Sequence, residues 1–463
     1  MSSDTSRANA YISGALLPTL FKTALPIIFV MSMNGLLTVV DAIFLGTFVG
    51  PDALSAVTLM FPAYMLLAAL AVLVSSGMSS ILARHLGGGR ASDAGAVFAG
   101  AHGLALCLSA LAMVLFWIFG RQVTLAAAEG AVSVAEMAYT YLSITVTFSP
   151  LLFVLSINAD ALRNEGRVTL MAALSLFVSL ANIACNYVLI VILDLGVAGS
   201  AYGTVLAQTL AFTALLAFRL TGKTLLRPNA LTPFSLTSNW PSILSLGTPQ
   251  SLSFIGIALG SAATFTMLQR IGADGYETTV AAFGIITRIM TFAYLPLLGL
   301  AQALQSMIGN NFGALLYQRS DNTVRLGLAV AFVYCAGVQA VLSVFARPIG
   351  LLFVDDTAVA GEVARILPSI IAMYFMAGPL FIVATYFQSI GDAKRAVLLS
   401  LAKPYVFFIP LVITLPAFVG ERGIWLASPS GETLLLVLTL AVLAITARSS
   451  PARWGLFRAA AAG

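Results

Sequence analysis

Charge is what this sequence has least of. Only 9% of its 463 residues are Asp, Glu, Lys or Arg, against about 25% in a soluble domain. A chain that is also 60% hydrophobic, with a mean hydropathy of +0.99, cannot clothe a globule in water, so its solvent is lipid. Histidine is almost missing. His85 and His102 are the only two, and neither has the company a metal site needs. Three cysteines, Cys107, Cys185 and Cys335, all fall in apolar runs; they read as core packing, with no disulfide framework. The net charge of +5 follows the inner loops, so no nucleic-acid partner is expected. No paired aspartates, Ser–His or His–Glu set converges in the apolar runs, which speaks against an integral-membrane enzyme and implies no cofactor. No filter-like repeated loop or ring of charge suggests a channel.

What is present is apolar length. Runs of about 20 residues recur along the whole chain. They predict an all-α integral membrane protein with twelve transmembrane helices, at 24–48, 53–83, 94–119, 138–159, 168–193, 198–218, 243–269, 279–308, 325–346, 363–389, 404–419 and 431–447. The first 22 residues carry no signal-peptide pattern, so the first span is expected to serve as its own insertion signal. With both termini cytoplasmic, 17 of the 23 basic residues fall on the inner side, among them Arg7, Lys223, Arg227 and Lys403. Five fall on the outer side and Arg288 lies within a span. The asymmetry predicts a multi-pass protein of the inner (plasma) membrane with both ends inside.

Three features repeat at offsets of 223 to about 225 residues. Pro26 and Pro249 are 223 residues apart; Leu86-Gly-Gly-Gly-Arg90 answers Gly309–Ala314 after the eighth span; Gly166 and Gly391 close similar stretches 225 apart. They predict two six-helix halves, 1–218 and 243–463, joined by a cytoplasmic linker, 219–242. Six spans are an even number, so the halves are parallel repeats about an axis along the membrane normal, and substrate is expected in a cleft between them.

Asp41 reads as the one acidic residue inside an apolar membrane-length run. A carboxyl there costs about 3 kcal/mol to insert by translocon scales. In such surroundings it can exchange a proton or hold a small cation, which marks an ion-coupling site; the plainer alternative is a structural carboxyl satisfied by one neighbouring helix. Asn34, Thr38 and Asp41 share one helical face, as do Ser175, Ser179, Asn182 and Asn186. Buried amides must find partners, so Asn182, Asn186 and Thr204 are candidate donors to Asp41 or ligands for a cation. The alternative is interhelical packing glue. Pro26 is a candidate hinge, a static kink, or the helix start. The second half has Thr264 where the first has Asp41, and a milder polar set. Gln250, Ser253 and Gln302, with Met31 and Met290, are candidate substrate-cleft residues, against ordinary packing for the methionines. Arg288 is expected to be tied to backbone carbonyls or to an acid near the outer end, with a substrate ligand as the alternative.

These features, in order on twelve spans, resemble the multidrug and toxic compound extrusion (MATE) transporters, within the wider multidrug/oligosaccharidyl-lipid/polysaccharide exporter superfamily. The resemblance covers residues 15–445 and rests on Pro26…Asp41…Gly46, Gly87–Arg90, Asn158…Arg163…Gly166, Asn182, Gly199…Gly203-Thr204…Gln208, Pro249, Pro296…Gly299 and Gln388…Gly391. It looks most like the bacterial and archaeal DinF-like branch. That implies a coupling network of Asp41, Asn182, Thr204 and a fourth-span tyrosine, best matched by Tyr141. The branch pattern has a second Asp where this chain has Asn186. One carboxylate weakens a sodium site, because hard cations gain affinity from anionic oxygens, and leaves proton coupling intact. The resemblance implies a secondary antiporter, driven by protons or alternatively sodium, that exports amphipathic or cationic organic molecules by alternating access; a monomer is expected. A flippase for lipid-linked saccharides is the alternative, poorly matched by Arg288 alone.

Overall fold

The computed structural model describes residues 10–129, 131–222, 224–226, 234–271, 276–449 and 452–458. Arg7, Lys223 and Arg227, counted above to the inner side, lie outside the described residues. In lipid every backbone polar group must be satisfied within its own segment, and the chain answers with helices. Among the described residues ten are unbroken, long and apolar enough to cross a membrane, and two bent pairs bring the spans to twelve. Span one is Leu16–Val49, span two Pro51–Gly87, span three Ala91–Ala127, span four Val132–Thr147 with Ser149–Asn164, span five Val168–Ile192 and span six Gly196–Leu220. Span seven is Trp240–Ile271, span eight Tyr276–Gly313, span nine Tyr317–Val344, span ten Thr357–Ile370 with Tyr374–Ile390, span eleven Ala393–Val419 and span twelve Arg422–Ser449. The one strand pairing among the described residues is a two-residue antiparallel match of Ala452–Arg453 with Phe457–Arg458.

The six-span repeat has structural counterparts. The fourth span of each half is bent, by 49° in span four and 50° in span ten. In span four the break at Phe148 precedes Pro150, which opens the next limb; proline is tolerated in the first turn of a helix and not in its interior. The fifth span of each half contains a π-helical turn, Tyr187–Ile192 in span five and Ala402–Phe408 in span eleven. Gly166 and Gly391, which follow spans four and ten, have φ of +76° and +91°, backbone that glycine adopts without strain.

Most span boundaries shift by several residues from the sequence reading, and a few of the shifts matter. Pro26 is ten residues inside span one and is not its start. Span eleven begins at Ala393, so Lys403 is inside the membrane-length helix; Pro404 reads as a helix start, but the π-helical turn carries the helix through it. Span twelve begins at Arg422, so Glu432 is well inside it and buried. Asp41 is therefore not the sole carboxyl within a span. Gly309–Ala314 is also no loop over most of its length: the helix runs to Gly313, and Asn310 and Asn311 are buried.

Two compact units emerge. One is Leu25–Ser251 together with the short helix Ala10–Ser13. The other is Leu252–Gly463 together with Gly14–Ala24. Spans one and seven thus each change unit beside a proline, Pro26 and Pro249. Within the first unit spans two and seven cross at glycines. A Cβ on Gly77 would lie 2.0 Å from Ile243 O, and one on Gly247 1.8 Å from Leu73 O. Close backbone approach through small residues is how helices associate where lipid removes the hydrophobic drive. The second unit has its core around Phe283, Ile286, Ile366, Leu367 and Trp425. Large apolar side chains such as Trp117, Ile118 and Ile445 are exposed, as a protein solvated by lipid requires.

Candidate ion-coupling site

Asp41 lies on span one, one turn before the π-helical turn Leu45–Val49. Span five brings two amides to it. Asn186 Nδ2 donates to Asp41 Oδ1 at 2.7 Å. Asn182, one turn earlier on the same face, bridges Asp41 and Thr204 of span six, and its amide fits in two orientations. With Nδ2 toward span one it donates to Asp41 Oδ1 at 3.0 Å, while its Oδ1 accepts from Thr204 N–H at 3.3 Å and from Thr204 Oγ1 at 3.0 Å. With Oδ1 toward span one it accepts from Asn186 Nδ2 at 3.2 Å and its Nδ2 donates to Thr204 Oγ1 at 3.0 Å. The first orientation gives a carboxylate two amide donors, and sets the two amide nitrogens 3.2 Å apart at the expense of the Asn186–Asn182 hydrogen bond. The second sets an amide oxygen against Asp41 Oδ1, repulsive for a carboxylate and a hydrogen bond for a carboxylic acid.

Both amides are buried, Asn182 at 1% and Asn186 at 0% exposure, so water cannot replace these partners. Span six makes room for them. A Cβ on Gly203 would lie 1.9 Å from Asn186 Oδ1, and that oxygen is buried without a hydrogen-bond donor among the described residues. Glycine at 203 lets the backbone of span six close on the amide. Tyr141 of span four lies within electrostatic reach of Asp41 and packs beside Leu45, Ala53 and Val197. Tyr64 of span two lies within the same reach. Sequence reasoning missed Tyr64, although it is the sole tyrosine of span two. Aromatic residues are common enough in spans that nothing but the fold singles it out.

Asn34 is not brought to Asp41. Seven residues separate them, a rise of about 10 Å, so two side chains on one face cannot touch. Asn34 is exposed, and its carbonyl accepts from Thr38 Oγ1 at 3.2 Å. Ser179 likewise turns back to its own helix, donating to Ser175 O at 3.1 Å. The candidate cleft residues are spread over three spans: Met31 on span one, Gln250 and Ser253 on span seven, Gln302 and Met290 on span eight, all half-buried. Met290 packs against the core of the second unit. Arg288 is exposed and forms no ion pair or hydrogen bond among the described residues, so the expected tie to a carbonyl or an acid is not there. The sequence reading also missed the pair Lys403–Glu432 in the second half, Nζ to Oε2 2.9 Å. Both residues sit at edges in the sequence-based spans, where charge reads as interfacial.

A family model described as MatE matches residues 26–188 and 249–414. The chain is 24% identical to the "FAD transporter" of Shewanella oneidensis, an alignment covering 87% of this chain and 90% of that protein. It is 24% identical to the "Multidrug export protein MepA" of Staphylococcus aureus, covering 92% of each. Among solved structures it resembles the "MATE multidrug transporter DinF-BH", with a TM-score of 0.84, 29% identity, and coverage of 96% of this chain and 98% of that one.

Proposed function

The chain belongs to the MatE family, and on that premise we propose that it is a proton-driven secondary antiporter of the inner membrane, exporting amphipathic or cationic organic compounds by alternating access. It is a multi-pass membrane transporter and not an enzyme, and the likeness to DinF-BH agrees with the DinF-like branch. The observation that carries the coupling reading is the hold on Asp41 by the Asn186 amide at 2.7 Å. An ionised Asp41 takes two amide donors from span five. Protonation removes the charge, and the Asn182 amide can then turn its oxygen to the carboxyl and its nitrogen to Thr204. One proton thereby changes what binds span one to spans five and six. Ligand and proton compete by favouring different states of that contact.

Proton coupling is favoured over sodium coupling because Asn186 contributes an amide where the branch pattern has a second carboxylate. The division of spans one and seven between the compact units beside Pro26 and Pro249 supports a hinge at Pro26, since a helix lacking a backbone bond bends there at little cost. The flippase alternative is not favoured; the relatives named above are multidrug and FAD transporters. The test is efflux of a fluorescent cationic dye from everted vesicles, with proton and sodium gradients imposed separately. Efflux driven by the proton gradient alone is expected. Efflux that follows sodium alone, or neither gradient, sinks the proposal.

A further inference from the structure

The second half holds a polar contact of different chemistry between the corresponding two spans. Gly203-Thr204 of span six is echoed by Gly431-Glu432 of span twelve, 228 residues on and so about one helical turn beyond the 223–225 offset of the repeat. Thr204 is met by an amide of span five. Glu432 is met by an ammonium of span eleven, the corresponding span: Lys403 Nζ lies 2.9 Å from Glu432 Oε2. Each residue is about 15 Å along its helix from the end at which that span begins, so the pair is deep within the membrane-length segment. An ion pair at that depth is expensive and marks function by default.

The environment of Glu432 is sparse. Its buried Oε2 receives no hydrogen bond of good geometry among the described residues; the ammonium is its partner by charge alone. Tyr294 of span eight, Cys335 of span nine and Tyr374 of span ten also feel its charge. None of these is a cation. If the ammonium turns away, proton uptake is the response left to a carboxylate in apolar surroundings. The two partners differ in access. The Glu432 side chain is 5% exposed and that of Lys403 34%. Burying both charges would cost desolvation on each; here the ammonium is the more exposed end of the pair. Lys403 also stands in the π-helical turn Ala402–Phe408 beside Pro404, a backbone irregularity that recurs at functional sites.

We propose that Lys403 is an anion-binding group of the second half, and that Glu432 is its resident counter-ion, displaced by the carboxylate of an amphipathic organic anion or zwitterion. The charge balance closes. Before binding, the ammonium and Glu432 sum to zero. After binding, the ammonium pairs with the ligand carboxylate, and Glu432 holds one proton taken from solution. The inference rests on the exporter reading and widens its substrate class to anions.

The probes are N-dansylglycine and its uncharged N-methylamide, bound to the full-length protein in phosphatidylcholine nanodiscs, with proton uptake followed by a pH dye in weak buffer. Wild type is expected to prefer the carboxylate by roughly tenfold, the scale of one charge-assisted contact, and to take up one proton per ligand. Lys403→Gln should erase the preference. Glu432→Gln should raise affinity for the carboxylate and abolish proton uptake, because it frees the ammonium without changing size. A structural pair predicts losses from both substitutions, and changes in the same direction overturn the proposal, as does equal binding of the two probes to wild type. If Lys403→Gln does not fold, Glu432→Gln decides the matter alone. Loss of the carboxylate preference when phosphatidylglycerol is added assigns the site to lipid phosphate and overturns the substrate reading. Asp41→Asn should keep the preference while losing coupled transport, so failure of the coupling reading and failure of this one remain distinct.

Discussion

Asn186 and Asp41, 145 residues apart in sequence, are joined by a hydrogen bond of 2.7 Å from the amide to the carboxyl oxygen. The contact ties span five to span one inside an apolar bundle, where an unpaired carboxyl or amide is costly. It makes the protonation state of one side chain a property of the helix arrangement.

Asp41→Asn should abolish proton-coupled efflux, by at least about tenfold, while membrane insertion and yield stay at wild-type level. An Asn keeps the size and donates or accepts, but it carries no exchangeable charge. Dye efflux from everted vesicles reads the first outcome and membrane-fraction immunoblotting the second. Normal pumping by the variant would remove Asp41 from the coupling step.

Asn186→Asp restores a second carboxylate beside the first. Two like charges in a dry site either recruit a hard cation or share a proton. Sodium dependence of efflux is therefore expected to rise, or the optimum to move to higher pH. An unchanged response to both gradients would show that Asn186 is a packing residue.

Gly203→Ala places a methyl group 1.9 Å from Asn186 Oδ1, and the buried amide has nowhere to go. The expected cost is about 1–3 kcal/mol of overpacking, with efflux reduced by roughly the same factor as in Asn186→Ala. Thermal stability in detergent and efflux are measured together. A variant that is stable and pumps normally would show that spans five and six are free to separate here.

Pro26→Ala restores a backbone donor within span one. Turnover should fall more than dye affinity, because the substitution alters exchange between states and not a binding surface. Affinity in detergent beside transport rate in vesicles separates the two. Turnover at the wild-type rate removes the hinge and leaves the coupling site standing.

Much of this was legible in the sequence because lipid is an unforgiving solvent. A carboxyl between Val40 and Ala42, and Asn182 and Asn186 one turn apart on an apolar helix, stand out where almost nothing else is polar. Asn34 was over-read: helical periodicity puts it on the face of Asp41, but periodicity says nothing of the two turns between them. Lys403 and Glu432 were under-read for the opposite reason. Pro404 and Pro429 look like helix boundaries, and a charge next to a boundary looks like a charge in water.

By itself the sequence determined the solvent, the twelve apolar spans, the six-span repeat and the polar residues that membrane burial forces to find partners. These follow from composition and from periodicity, which are local. The tertiary structure decided which partners they find. That Asn186 reaches Asp41 while Asn34 does not depends on how the helices pack. Gly203 lets the backbone of span six approach Asn186 closely, and the π-helical turn in span eleven carries the helix through Pro404 with Lys403 inside it. Helix packing is set by which side chains and backbones meet, and one chain read end to end does not state that.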